Sequence, residues 1–163
     1  MNKKIVVIAT LVVMIFSVAG CAKSTPDTNN CVANNTGVPT AAEIASVKSY
    51  LDSKAITATQ DPGGFFYIIV APGAGATPTL SSKVTVKYTG SLENGTVFDQ
   101  SQTGTTFPLS QLILGWQKGI PLIKKGGTIK LYLPPSLGYG CNAIGSIPPA
   151  SNLIFTIDLV DVQ

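Results

Sequence analysis

Chemistry in this chain has to be sought among aromatic rings and one carboxylate: Tyr88, Phe98, Phe107, Trp116, Tyr139 and Phe155, with Asp99 directly after Phe98. Val84 and Val86 alternate with Thr85 and Lys87 on the way to Tyr88. Leu153, Phe155 and Ile157 repeat that period of two, so Tyr88 and Phe155 each share a strand face with aliphatic neighbours. Taken singly, each ring reads first as core filling, which is what aromatic side chains usually do. Asp99 resists that reading, because a buried carboxylate needs a partner, and a tyrosine hydroxyl can be one. Such a set offers an apolar enclosure edged by hydrogen-bond donors. It does not offer proton transfer.

The composition narrows the chemistry further. The chain of 163 residues has no histidine, its 11 basic residues are all lysines, and charged residues make up only 12%, against about 25% in ordinary domains. No Ser-His-Asp or Cys-His arrangement can be assembled, and no histidine-ligated metal. No arginine fork can grip a phosphate in two-pronged fashion. A formal charge of +3 with no basic cluster larger than a pair such as Lys124-Lys125 argues against nucleic acid. No cofactor and no metal are expected.

The elements that must position these rings are legible in outline. Thr40-Ala41-Ala42-Glu43 has capping-box spacing, and Ile44, Val47 and Leu51 continue as one apolar stripe up to Lys54. This N-terminal helix could pack on the main domain or on a second copy. From Phe65 the period becomes two: a strand over 65–70, another over 84–89, a turn at Glu93-Asn94-Gly95 before Val97-Phe98, then strands over 128–133 and 153–160. One short helix around Leu114 to Leu122, limited by Gly119 and Pro121, interrupts them. The pattern predicts an α+β fold, an antiparallel sheet wrapped on a short helix.

The first residues read as an address. Met1-Asn2-Lys3-Lys4 precedes the apolar run Ile5 to Ala19, which is shorter than the roughly 20 residues a membrane-spanning helix needs and suits a secretory signal. The run ends in Val18-Ala19-Gly20-Cys21, which resembles a bacterial lipobox whose cysteine is lipidated after cleavage; Ala22 in place of Asp then favours the outer membrane of a double-membraned cell, facing periplasm or surface. The expected organisation is a signal over 1–20, a flexible tether over 21–39, a helix and connector over 40–62 and the main domain over 63–163. With Cys21 lipidated, Cys31 and Cys141 remain, and an oxidising envelope favours pairing them.

Several separate blocks carry a family resemblance. Val84-x-Val86-x-Tyr88-x-Gly90-x-Leu92-x-Asn94-Gly95-x-x-Phe98-Asp99 resembles the opening signature of FKBP-type peptidyl-prolyl isomerases. Gly115-Trp116-x-x-Gly119-Ile120, Gly126 and Leu131-x-Leu133-Pro134-x-x-Leu137-Gly138-Tyr139-Gly140 match its middle. Ile147-Pro148-Pro149 and Asn152-Leu153-Ile154-Phe155-x-Ile157-x-Leu159 match its end, so the likeness runs over residues 64–163. It implies a twisted antiparallel sheet half-wrapped around a short helix, and a pocket for the prolyl ring. The catalytic set would be Tyr88, Phe98, Asp99, Trp116 as floor, Tyr139, Ile147 and Phe155, with Phe107, Leu112 and Ile113 binding substrate. The Tyr139 hydroxyl and the Ile147 amide would hold substrate carbonyls.

The chain departs from the family pattern in three places. The segment before Leu112 is two residues shorter, with Phe107 alone where two phenylalanines often stand. The loop from Cys141 to Ser146 is one residue shorter and lacks a histidine, and Pro121 is unusual in the short helix. These differences bear on substrate preference and macrolide affinity. The implied function is prolyl cis-trans isomerisation of exported, proline-containing polypeptides, with immunosuppressant macrolides as further ligands and a lipid anchor as the membrane link. The competing reading keeps the fold as a non-catalytic binding module or holdase chaperone.

Overall fold

A computed structural model describes residues 37–163. The segments expected to be a signal (1–20) and a tether (21–39, but for its last three residues), with Cys21 and Cys31, lie outside the described residues. The capping box forms as its spacing requires: Thr40 Oγ1 accepts the Glu43 amide at 3.2 Å, and Glu43 Oε2 accepts the Thr40 amide at 2.7 Å. Helix α1 then runs over Ala41–Ser53. Its stripe settles the choice left open by the sequence. Val47 and Leu51 are buried against Phe66 and Tyr132, with Ile44, Ile56, Ile68 and Ile154 around them, so α1 packs on its own domain.

Strands β1 (Thr59–Gln60), β2 (Phe66–Ala71), β3 (Lys83–Leu92), β4 (Val97–Pro108), β5 (Thr128–Leu133) and β6 (Leu153–Val162) form one sheet in the order β1-β2-β5-β6-β3-β4. Every neighbouring pair is antiparallel. Helix α2 spans Leu114–Gly119, and a single 3₁₀ turn over Ile120–Leu122 follows it. Pro121 sits in the first turn of that segment, where a missing amide hydrogen costs little. This is the α+β architecture that the alternation implies.

The period of two sorts the residues. Val84, Val86 and Tyr88 of β3, Ile129, Leu131 and Leu133 of β5, and Leu153, Phe155, Ile157 and Leu159 of β6 form one buried face with Trp116 and Ile120. Phe66, Tyr132 and Ile154 point the other way, into the cluster under α1. The sheet therefore lies between two layers: α2 covers the face that carries the aromatic set, and α1 covers part of the other. A close approach makes the first layer possible. A Cβ on Gly115 or Gly119 would overlap the Leu133 and Leu131 side chains, so glycines one turn apart let α2 lie directly on β5. Two elements reach further than the sequence pattern. The connector after α1 contributes β1 to the sheet. Strand β4 extends ten residues beyond the two apolar positions that announced it.

Candidate functional site

Pleat and register bring the rings together. Tyr88 on β3 pairs with Ile157, and Gly90 pairs with Phe155 on β6 and with Asp99 on β4. Trp116 rises from α2 toward the same face. The Tyr88 and Trp116 ring centroids are 5.1 Å apart at 81°, Trp116 and Phe155 5.2 Å at 87°, and Phe155 and Phe98 5.5 Å at 84°. Each contact is edge to face, the arrangement that sets a ring's positive rim against its neighbour's negative face. Gly90 makes room for the last of them, because a Cβ there would stand 2.7 Å from both Phe155 and Phe98.

A cavity of about 180 Å³ opens among Tyr88, Asp99, Phe107, Leu112, Ile113, Trp116, Tyr139 and Phe155. Trp116 is only 4% exposed, and its indole N–H has no acceptor among the described residues. The Tyr88 hydroxyl donates to Asp99 Oδ2 at 2.7 Å. Burial, followed by that hydrogen bond and the charge of Asp99, pushes the Tyr88 phenol up to about 12. Burial, followed by the charge of Asp99, pushes Tyr139 up as well. Both phenols therefore stay protonated at neutral pH and can donate. Among the described residues no cluster of His, Cys, Asp and Glu could hold a metal ion. The arrangement can bind an apolar ring, exclude water from it and donate hydrogen bonds at its rim.

Most of the residues singled out from the sequence converge on this cavity, with three differences. Asp99 has its tyrosine partner but lies on the exposed edge strand, so it is a rim carboxylate and not a buried one. Phe98 is half-buried behind Phe155 and does not line the cavity. Ile147 is buried in the core beside the site, and its amide already donates to the Ile144 carbonyl at 2.9 Å. In this conformation that amide cannot receive a substrate carbonyl. Ile113, which does line the cavity, has an amide with no acceptor among the described residues. Sequence reasoning assigned Ile113 a side-chain role and missed its backbone; its place directly before α2, where first-turn amides lack partners, was the available signal. Cys141 is disulfide-bonded, and its partner lies outside the described residues.

The family model described as FKBP-type peptidyl-prolyl cis-trans isomerase matches residues 75–160. The FKBP-type peptidyl-prolyl cis-trans isomerase FkpA of Buchnera aphidicola (subspecies Schizaphis graminum) is 46% identical over 121 residues, which is 72% of this chain and 47% of that protein. The Outer membrane protein MIP of Legionella longbeachae is 42% identical over 106 residues, 63% of this chain and 46% of that protein. The crystal structure of FkpA from Escherichia coli superposes with a TM-score of 0.68 at 39% identity, covering 76% of this chain and 60% of that one. The chain thus spans under half the length of the two relatives.

Proposed function

Because the chain belongs to the FKBP-type peptidyl-prolyl cis-trans isomerases, we propose that it rotates X–Pro bonds of exported polypeptides in the cavity between α2 and the sheet. The observation that carries this reading is the run of edge-to-face rings Tyr88, Trp116 and Phe155 along a cavity that two protonated phenols edge.

Rotation about an X–Pro bond must break amide resonance, against a barrier of about 18–20 kcal/mol. No covalent bond forms or breaks, so the absence of histidine removes nothing the reaction needs. The planar ground state separates charge between carbonyl oxygen and nitrogen, and the twisted state largely loses that separation. An apolar enclosure of Trp116, Phe155, Phe107 and Leu112 therefore disfavours the ground state more than the twisted one. Donors at the rim hold the flanking carbonyls while the bond turns. Tyr139 is one such donor, and the Ile113 amide takes the part that the sequence assigned to Ile147. Tyr88 and Asp99 orient the wall without transferring a proton. Phe98 and Ile147 act from behind it, by fixing Phe155 and the loop before β6. An immunosuppressant macrolide would compete for the same space.

Place and anchoring extend the proposal. The lipobox-like sequence ending in Cys21, and a Legionella relative named as an outer membrane protein, support a lipid-anchored protein of the bacterial envelope. Cys31 is then the partner for Cys141, closing a loop whose chain-entropy contribution reaches about 4–5 kcal/mol at most. A proline-containing tetrapeptide assay tests the activity: purified protein must speed cis-to-trans conversion, and an unchanged rate overturns the reading. Lipid labelling of the full chain that survives Cys21→Ser would overturn the anchor. Two free thiols in non-reduced mature protein would overturn the Cys31–Cys141 pairing.

A further inference from the structure

Tyr139 sits between Gly138 and Gly140, and Gly140 adopts a left-handed φ of 60°. A side chain bracketed by two glycines gains little stiffness from its own backbone, yet a phenol that grips a substrate carbonyl must be held in place. Hydrogen bonds supply the restraint. The Gly138 and Gly140 amides both donate to the Pro135 carbonyl, at 2.9 and 2.8 Å. Pro135 opens the single turn Pro135–Leu137. The next residue in that turn is fastened from the far side of the sheet: Glu43 Oε1 on α1 accepts the Ser136 amide at 3.0 Å and the Ser136 hydroxyl at 2.5 Å. The other oxygen, Oε2, accepts the Thr40 amide and hydroxyl at 2.7 and 3.0 Å.

The Glu43 carboxylate thus receives four hydrogen bonds where a capping box alone gives it one, and half of the four come from the loop that carries Tyr139. Burial works to raise its carboxyl, but the bonds from Ser136 and Thr40 outweigh it and hold the group below its ordinary range. A carboxylate kept ionised makes stronger hydrogen bonds than a neutral acceptor does.

We infer that Glu43 is a positioning residue for the isomerase site: through Ser136 and the Pro135 carbonyl it fixes the Gly138-Tyr139-Gly140 segment, and with it the Tyr139 hydroxyl. The inference rests on the isomerase reading for its consequence in rate, and on the contacts alone for its consequence in motion. The two consequences are measured separately.

Glu43→Gln keeps a residue that serves in a capping box but removes the charge on Ser136. It is expected to raise the exchange rate of the Gly138 and Gly140 amides and to lower kcat/KM about fivefold. In a Tyr139→Phe background the same substitution should cost no further activity, because the group being positioned is gone. Ser136→Ala loosens the link from the other side and should do the same to a smaller degree. Thr40→Ala weakens the start of α1 while leaving Oε1 on Ser136, and should leave activity within about twofold. Unchanged exchange at Gly138 and Gly140 overturns the inference whether or not the protein is active. So does an equal loss from Glu43→Gln with and without the Tyr139 hydroxyl, or a loss from Thr40→Ala as large as that from Glu43→Gln. An inactive wild type whose exchange still responds to Glu43→Gln overturns the proposed function and upholds the clamp.

Discussion

The Tyr88 hydroxyl lies 2.7 Å from Asp99 Oδ2, a bond that ties β3 to the edge strand β4 across one side of the cavity. It joins a ring on the buried face to a carboxylate at the rim, in a molecule with no fully buried polar or charged side chain among its described residues. A hydrogen bond to an ionised group is worth about 1.5–3 kcal/mol, less where water reaches it. Because Asp99 is exposed, the bond matters more for the shape of the wall than for global stability. Tyr88→Phe and Asp99→Asn should each lower kcat/KM about tenfold and cost about 1 kcal/mol of stability or less. The double variant should be no worse than either single one. A double-mutant cycle in the tetrapeptide assay checks this, and additive losses would show that the two residues act separately.

Gly90→Ala tests the packing behind the wall. The new methyl would stand 2.7 Å from Phe155 and from Phe98, and both rings are held by neighbours. Overpacking of this kind costs about 1–3 kcal/mol. Phe155 must shift toward Trp116, so the cavity narrows. We expect a lower unfolding midpoint together with weaker substrate binding, seen as a raised KM. A variant with unchanged midpoint and KM would mean that the rings have slack the geometry does not indicate.

Sequence pattern disclosed the buried faces well and the exposed elements poorly, for a physical reason. In β3, β5 and β6 one side of the pleat is apolar throughout and the other mixed, so alternation is visible and the convergence of Tyr88 and Phe155 follows from it. Strand β4 is an edge, paired with β3 alone. Ser101, Gln102, Thr103, Thr105 and Thr106 meet water or one another there, as in the Thr85–Thr106 and Ser101–Thr105 contacts. With no face to bury, such a strand carries no period. Strand β1 is two residues long and carries none either. The site residues were legible as side chains, but the roles of the Ile113 and Ile147 amides depend on which backbone groups are already bonded. The turn joining Ile144 to Ile147 decides that for Ile147, and the start of α2 decides it for Ile113. Glu43 was legible as a cap, and nothing local to residues 40–54 connects it with Ser136, which is 93 positions away.

Leu51→Ala asks whether α1 belongs to the folded unit. Leu51 is 3% exposed and packs with Val47 against Phe66 and Tyr132, so truncation leaves a hole under the helix and should cost about 2–5 kcal/mol. If helix and sheet unfold together, Trp116 fluorescence, which reports on the opposite layer, must follow the loss of helical signal in one transition. The chain has a single tryptophan, so the reading is unambiguous. Two separated transitions would mark a boundary between residues 40–62 and the rest.

The pH dependence should be broad, with limits set by different groups. The Tyr88 phenol is raised from 10.0 to about 12 by burial and by its bond to Asp99. The folded state therefore holds that proton more tightly than the unfolded chain does. The sign follows: the stabilisation is complete below pH 10 and is lost as pH rises through about 12. Tyr139 is shifted in the same direction by burial and by the charge of Asp99, so activity should hold level from neutrality to pH 10 and fall above it. Glu43 works in the opposite sense. Its carboxyl is held below 4.5 once the hydrogen bonds from Ser136 and Thr40 overcome burial, so its contribution is complete above pH 4.5 and declines as pH falls through the folded value. Stability should thus form a plateau with an acid edge reduced by Glu43→Gln and an alkaline edge moved by Tyr88→Phe. Thermal midpoints of wild type and both variants across the pH range test this, and an acid edge unchanged in Glu43→Gln would assign it to other carboxylates.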